Sequence, residues 1–211
     1  MKITLEGLGK HYNKHWLFRN LNYDFEAGKS YAIRGPNGSG KSTFLKLISG
    51  YITPSEGQIN WHINGKKRDA EELFSFHTFA APYTLLPEEF KVGEILDWYF
   101  GFKQISSGYS TKDLISIGSF ESHQNKIIKN FSSGMKQRLK LLLAFYTNSR
   151  LLLLDEPCSN LDAENSQWYK KHVETILTGK SVIIASNQKN EYDFCQKILD
   201  LGMSNREVRG F

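Results

Sequence analysis

A chain of 211 residues, 40% hydrophobic and 23% charged, supplies one sizeable core and is short for two full domains. It contains no run of about eighteen consecutive apolar residues, and Met1-Lys2-Ile3-Thr4-Leu5-Glu6 enters a strand pattern without an apolar leader, which argues against a membrane span and a secretory signal. The two cysteines, Cys158 and Cys195, are too few for a disulfide framework or a zinc site, and the net charge of +5 is scattered in short groups such as Lys66-Lys67-Arg68, so cytoplasmic residence and solvated basic faces, not a nucleic-acid track, are the expectation.

In chain order, Lys2–Leu8, Leu17–Phe25 and Lys29–Arg34 read as strands separated by turn-prone Gly, Asn and Lys. A glycine-rich loop follows, and Thr43-Phe44-Leu45-Lys46-Leu47-Ile48 behind it is apolar at helical spacing. Gly50–Gly57, with Pro54, reads as a turn, Gln58–Gly65 as an alternating strand, and Phe74–Ala81 as a further apolar strand. Between Val92 and Lys129 the period becomes helical and is broken by Gly101, Ser106-Ser107-Gly108 and Gly118-Ser119. A helix over Gly134–Tyr146 precedes Leu151-Leu152-Leu153-Leu154, the continuous run of a parallel strand buried on both faces. A helix over about Asn165–Leu177 and the apolar strand Ser181-Val182-Ile183-Ile184-Ala185 continue the alternation. No internal repeat and no low-complexity segment interrupts it. The pattern predicts an α/β domain with a mainly parallel sheet and a small helical insertion. The expected division is 1–81 and about 134–211 as core, with about 82–133 as the helical subdomain.

Two stretches carry chemistry. Gly35-Pro36-Asn37-Gly38-Ser39-Gly40-Lys41-Ser42-Thr43 matches G-x-x-x-x-G-K-[ST] at every fixed position, between a strand and a helix as the motif requires. Its backbone N–H groups, from Asn37 to Thr43, are expected to close on phosphate oxygens at the positive end of the helix. Lys41 would reach the β- and γ-phosphates, and the Ser42 hydroxyl would hold Mg²⁺. The second stretch, Leu154-Asp155-Glu156, ends a buried strand in two carboxylates, where ligands of α/β sheets collect. Asp155 is placed to hold Mg²⁺ directly or through water, and Glu156 to polarise an attacking water.

In order, the phosphate loop, a helical insertion, Phe131-Ser132-Ser133-Gly134-Met135, Leu-Leu-Leu-Leu-Asp-Glu-Pro and Ser159-Asn160-Leu161-Asp162 resemble the ATP-binding subunit of an ABC transporter, from Lys2 to Ser186. The resemblance implies a P-loop NTPase core with a mainly parallel sheet, an N-terminal antiparallel β subdomain and a small helical insertion, ATP and Mg²⁺ as cofactors, and a head-to-tail dimer of two copies. In it, Ser132, Ser133 and Gly134 would contact the γ-phosphate held by the other copy. The same three residues are also an ordinary helix N-cap sequence. Tyr12 matches the family's adenine-stacking aromatic, with Trp16 as the fallback and plain core packing as an alternative for either.

Three departures temper the implied activity. Ser133 and Met135 replace a glycine and a glutamine of the family's L-S-G-G-Q, in a form that resembles ATPases of polysaccharide and ABC-2-type exporters. No Gln lies between Phe74 and Lys103, where the family places a loop glutamine; Ala81, Pro82 and Tyr83 stand there, and water is expected to fill the vacated ligand position. Ser186-Asn187 stands where the family has Ser-His, so Asn187 can donate to a γ-phosphate oxygen but cannot carry charge. Slow turnover is therefore expected. The implied role is the ATP-hydrolysing subunit of an exporter, peripheral on the inner face of the cell membrane. It would dock on a separate transmembrane permease through the aromatic-rich Tyr83–Phe102 region, including Phe90, Trp98, Tyr99 and Phe100. Two other roles stay open: a soluble ABC-type ATPase acting on nucleic acid or ribosomes, and an ATP-gated module with little hydrolysis.

Overall fold

The computed structural model describes residues 1–201. The last ten residues of the expected core segment lie outside the described residues. Two sheets organise the chain. The first is antiparallel, in the order β2 (His15–Phe25), β1 (Lys2–Tyr12), β4 (Glu56–Ile63) and β5 (Lys66–Arg68). The second is parallel, in the order β6 (His77–Ala80), β7 (Leu151–Asp155), β8 (Ser181–Ala185), β3 (Ser30–Arg34) and β9 (Lys197–Asp200).

Period-two alternation in the central strands explains how one sheet serves two cores. Tyr31, Ile33, Leu151, Leu153 and Ile183 face the first core, where α1 (Lys41–Ile48) presents Phe44, Leu45, Leu47 and Ile48 against β1 and β2. Ala32, Leu152, Leu154, Val182 and Ile184 face the second core, built with α2 (Val92–Phe102), α3 (Thr111–Ile117), α4 (Ser133–Phe145) and α5 (Ala163–Ile176). The apolar runs of β7 and β8 are therefore covered on both faces, as parallel strands require.

The expected elements are present with shifted bounds. The expected strand Phe74–Ala81 is corrected most. Ala70–Ser75 is a 3₁₀ turn entered through an Asp69/Glu72 capping box, and only His77–Ala80 pairs, in register with Leu151–Leu154. The reciprocal cap satisfies the turn's first donors and stops the strand from starting early. The short edge strands β5 and β9 were not anticipated, because charged residues on sheet edges give little apolar alternation.

One glycine fixes how β1 meets β4. Gly57 has φ +72°, and a Cβ on it would lie 2.3 Å from the Gly7 carbonyl oxygen, at the register shift between Glu6 and Gly9. Gly57→Ala is expected to destabilise the fold by about 1–3 kcal/mol, lowering Tm by roughly 3–10 °C in a thermal melt.

Candidate nucleotide site

The phosphate loop joins the end of β3 to the start of α1, so its position is set by the central sheet. Gly40 adopts φ +93°, and a Cβ there would press on Leu17 and Phe18 of β2 at 3.0–3.2 Å; only glycine fits between loop and strand. Lys41 is buried, and its Nζ donates to the carbonyls of Gly35 (2.7 Å) and Pro36 (3.3 Å), holding the ammonium over the loop. The Ser39 hydroxyl is buried without a hydrogen-bond partner among the described residues. An orphaned hydroxyl and a free cation face, inside a ring of glycines, suit a polyanion. A cavity of about 390 Å³ opens here, lined by Tyr12, Leu17, Asn37, Gly38, Gly40, Lys41, Ser42, Thr43 and Glu156. That size falls in the ordinary range for small-molecule sites.

Of the two carboxylates at the end of β7, Glu156 lines the cavity and Asp155 is not part of its lining. Asp155, the last residue of β7, is 2% exposed. Glu156 leaves the strand at φ +41°, with its N–H donating to the Ala185 carbonyl (2.9 Å), which turns its side chain outward into the cavity wall. A non-glycine residue in this region is uncommon, and here the turn aims a carboxylate. Asn187 reaches the loop from β8, its amide donating to Asn37 Oδ1 at 3.1 Å.

Of the two candidate aromatics, Tyr12 lines the cavity and is half exposed. Trp16 is engaged elsewhere, edge-on to His11 at 4.7 Å and under the Arg19 guanidinium at 4.6 Å. Ser132, Ser133 and Gly134 are not part of the cavity lining. Ser132 caps α4, accepting from the Met135 N–H, and both serines face solvent. A Cβ on Gly134 would meet the Asn160 carbonyl at 3.1 Å, so the start of α4 abuts the Ser159–Asp162 loop. The buried Gln137 amide adds to this by donating to Pro157 O at 3.0 Å.

Two residues escaped the sequence reading. The first, Tyr83, stands where the family places its loop glutamine. The Tyr83 hydroxyl donates to Asp155 Oδ2 at 2.8 Å and lies within electrostatic reach of the Ser42 side chain. Partial burial, and then the Asp155 charge, push this phenol's pKa upward, so it stays protonated. The signal was the aromatic itself, but nothing in the sequence gave its reach. The second is Glu191, fully buried, whose carboxylate accepts the Cys158 N–H at 2.9 Å. Burial raises its pKa. It ties the segment after Asn187 to the loop after Glu156, and a lone Glu in a polar stretch carries no sequence signal. Burial also pushes both thiols, Cys158 and Cys195, up to about 12, as befits small packing residues.

A parallel sheet carrying a phosphate loop after β3, with an acidic pair ending the central strand β7 one strand removed, defines a P-loop nucleoside-triphosphate-binding protein. The family model described as ABC transporter matches residues 18–159. An uncharacterised ABC transporter ATP-binding protein, YybJ of Bacillus subtilis (strain 168), is 31% identical over 221 aligned residues, covering 98% of this chain and 95% of its own. The lantibiotic transport ATP-binding protein SrtF of Streptococcus pyogenes is 28% identical, covering 90% and 82%. The Nod factor export ATP-binding protein I of Neorhizobium galegae is 28% identical, covering 94% of this chain and 58% of its own. Among solved structures, a dimeric ATP-binding cassette in a post-hydrolysis state with ADP and Pi superimposes with TM-score 0.80 at 22% identity, covering 95% of both chains. The chain belongs to the ABC transporter family, as an ATP-binding cassette with an ATPase domain.

Proposed function

We propose that the chain is the ATP-hydrolysing subunit of an exporter and works as a head-to-tail pair of copies on a separate membrane permease. The observation that carries this reading is the separation of the site's halves: the cavity holds the phosphate loop and Glu156, while Ser132–Gly134, at the exposed start of α4, stand outside it. A second copy in inverted orientation would bring its Ser132, Ser133 and Gly134 to the γ-phosphate, a hydroxyl and a helix N-terminus offered to an anion. The dimeric cassette of the same fold supports the pairing.

In this reading Tyr12 stacks on adenine, and Asn37 through Thr43 wrap the phosphates. Lys41 neutralises the β- and γ-oxygens, and Glu156 orients and deprotonates water. Asn187 donates to the γ-phosphate. Ser42 and Asp155, hydroxyl and carboxylate on facing elements, form a hard oxygen set suited to Mg²⁺, which when bound neutralises charge on the phosphates. The neutral Asn187 favours slow hydrolysis. Residues 1–81 and 134–211 act as the core and 82–133 as the helical subdomain.

Among the described residues no helix is long and apolar enough to cross a membrane. We place the permease contact on a groove of about 170 Å³ between helical segment and core, walled by Leu85, Leu86, Trp98, Tyr99 and Leu143. Leu85 is 91% exposed and Trp98 44%, whereas Phe90, Tyr99 and Phe100 pack against the core. The names of the lantibiotic-transport and Nod-factor-export relatives support transport and outward direction. A double substitution, Leu85→Asp with Trp98→Ala, should abolish co-purification with a multi-span membrane protein from detergent extracts while the ATP affinity of the purified chain stays within twofold. Unchanged co-purification would remove this surface from the reading.

A further inference from the structure

The phenol of Tyr83 occupies a position that neither the phosphate loop nor the acidic strand end explains. Two neighbours flank its ring: the Lys46 ammonium of α1 lies 4.6 Å from the ring centroid, and the Phe79 ring of β6 lies at 6.4 Å. Its backbone approach is fixed as well, because Lys140 of α4 donates to the carbonyls of Pro82 (2.6 Å) and Ala81 (3.4 Å). From that seat the hydroxyl donates to Asp155 and lies within electrostatic reach of the Ser42 side chain. One hydroxyl is thus bonded to the end of β7 and sits beside the start of α1, the two elements that carry the cation-binding oxygens in the proposed reading.

We infer that Tyr83 is the positioning residue of the divalent-cation site, orienting the Asp155 carboxylate and the Ser42 hydroxyl through its O–H. The inference rests on the proposed Mg²⁺ role of those two residues. A phenolic O–H both donates and accepts, so it can keep a carboxylate oxygen turned toward a cation and still hold Ser42 or a cation-bound water. Phenylalanine keeps the ring, its packing and the cation–π contact, and removes only this function.

The experiment compares wild type with Tyr83→Phe by isothermal titration of ATP, first in EDTA and then across a Mg²⁺ series, together with Mg²⁺-dependent turnover. Losing a hydrogen bond that orients a cation ligand should raise the Mg²⁺ concentration for half-maximal effect by roughly ten- to a hundredfold. ATP affinity in EDTA should stay within twofold, and kcat at saturating Mg²⁺ within threefold. The inference is overturned by a half-maximal Mg²⁺ concentration within twofold of wild type or lower. It is equally overturned by a loss of ATP affinity in EDTA as large as that in Mg²⁺, which would mark Tyr83 as a packing residue. A wild-type protein whose ATP affinity ignores Mg²⁺ would instead sink the cation site itself, and the inference with it.

Discussion

Glu156→Gln is expected to lower ATP turnover by about 10²–10³, with ATP affinity retained and an ATP-bound dimer accumulating on size-exclusion chromatography. Glutamine keeps the size of the side chain and its place at φ +41°, so the turn that aims residue 156 into the cavity is preserved. What it loses is a proton acceptor. Water can still be hydrogen-bonded by the amide, but its proton has nowhere to go as the γ-phosphate is attacked. If dimer dissociation follows hydrolysis, the variant also stays paired. Turnover within fivefold of wild type, with no change in dimer population, would favour an ATP-gated module over a hydrolysing enzyme.

The second large effect concerns a residue outside the cavity. Gly134→Asp should reduce turnover at least about 10²-fold while single-copy ATP affinity stays within twofold, because the carboxylate would face a phosphate held by the other copy and repel it. The Cβ would also crowd Asn160 O at 3.1 Å, so circular dichroism must show an intact fold. The distinguishing measurement is mixing with Lys41→Ala. Each single variant is inactive, yet a mixed dimer contains one site with an intact Lys41 from one copy and an intact Gly134 from the other. Random pairing should restore roughly a quarter of wild-type turnover if the sites are independent and the interface is isologous. No recovery on mixing, with both variants shown to form dimers, would place the whole site within one copy.

How much was legible in advance depends on whether a residue acts through its neighbours in the chain or across the fold. Lys41 and Ser42 were legible because a phosphate cradle needs consecutive backbone N–H groups and a fixed offset to its lysine, and these are properties of a contiguous segment. Asp155 and Glu156 were legible because a buried apolar strand ending in carboxylates places them at a sheet's ligand-binding edge. The expected strand at Phe74–Ala81 failed for a local reason, since apolar content alone does not separate strand from 3₁₀ turn. Tyr83 and Glu191 failed for a global one: 72 residues separate Tyr83 from Asp155, and 33 separate Glu191 from Cys158.

By itself, then, the sequence determined the class of the protein: a nucleotide-binding α/β chain whose loop, acidic strand end and Ser132–Gly134 cap occur in a fixed order. Contiguous motifs do this because their geometry is set by a few consecutive φ/ψ angles. Only the tertiary structure decided that Tyr12 and not Trp16 walls the cavity, that Ser132–Gly134 stand apart from it, and that a tyrosine hydroxyl reaches Asp155. Those outcomes depend on side-chain reach between elements brought together by burying both faces of one parallel sheet, a constraint that no single segment carries.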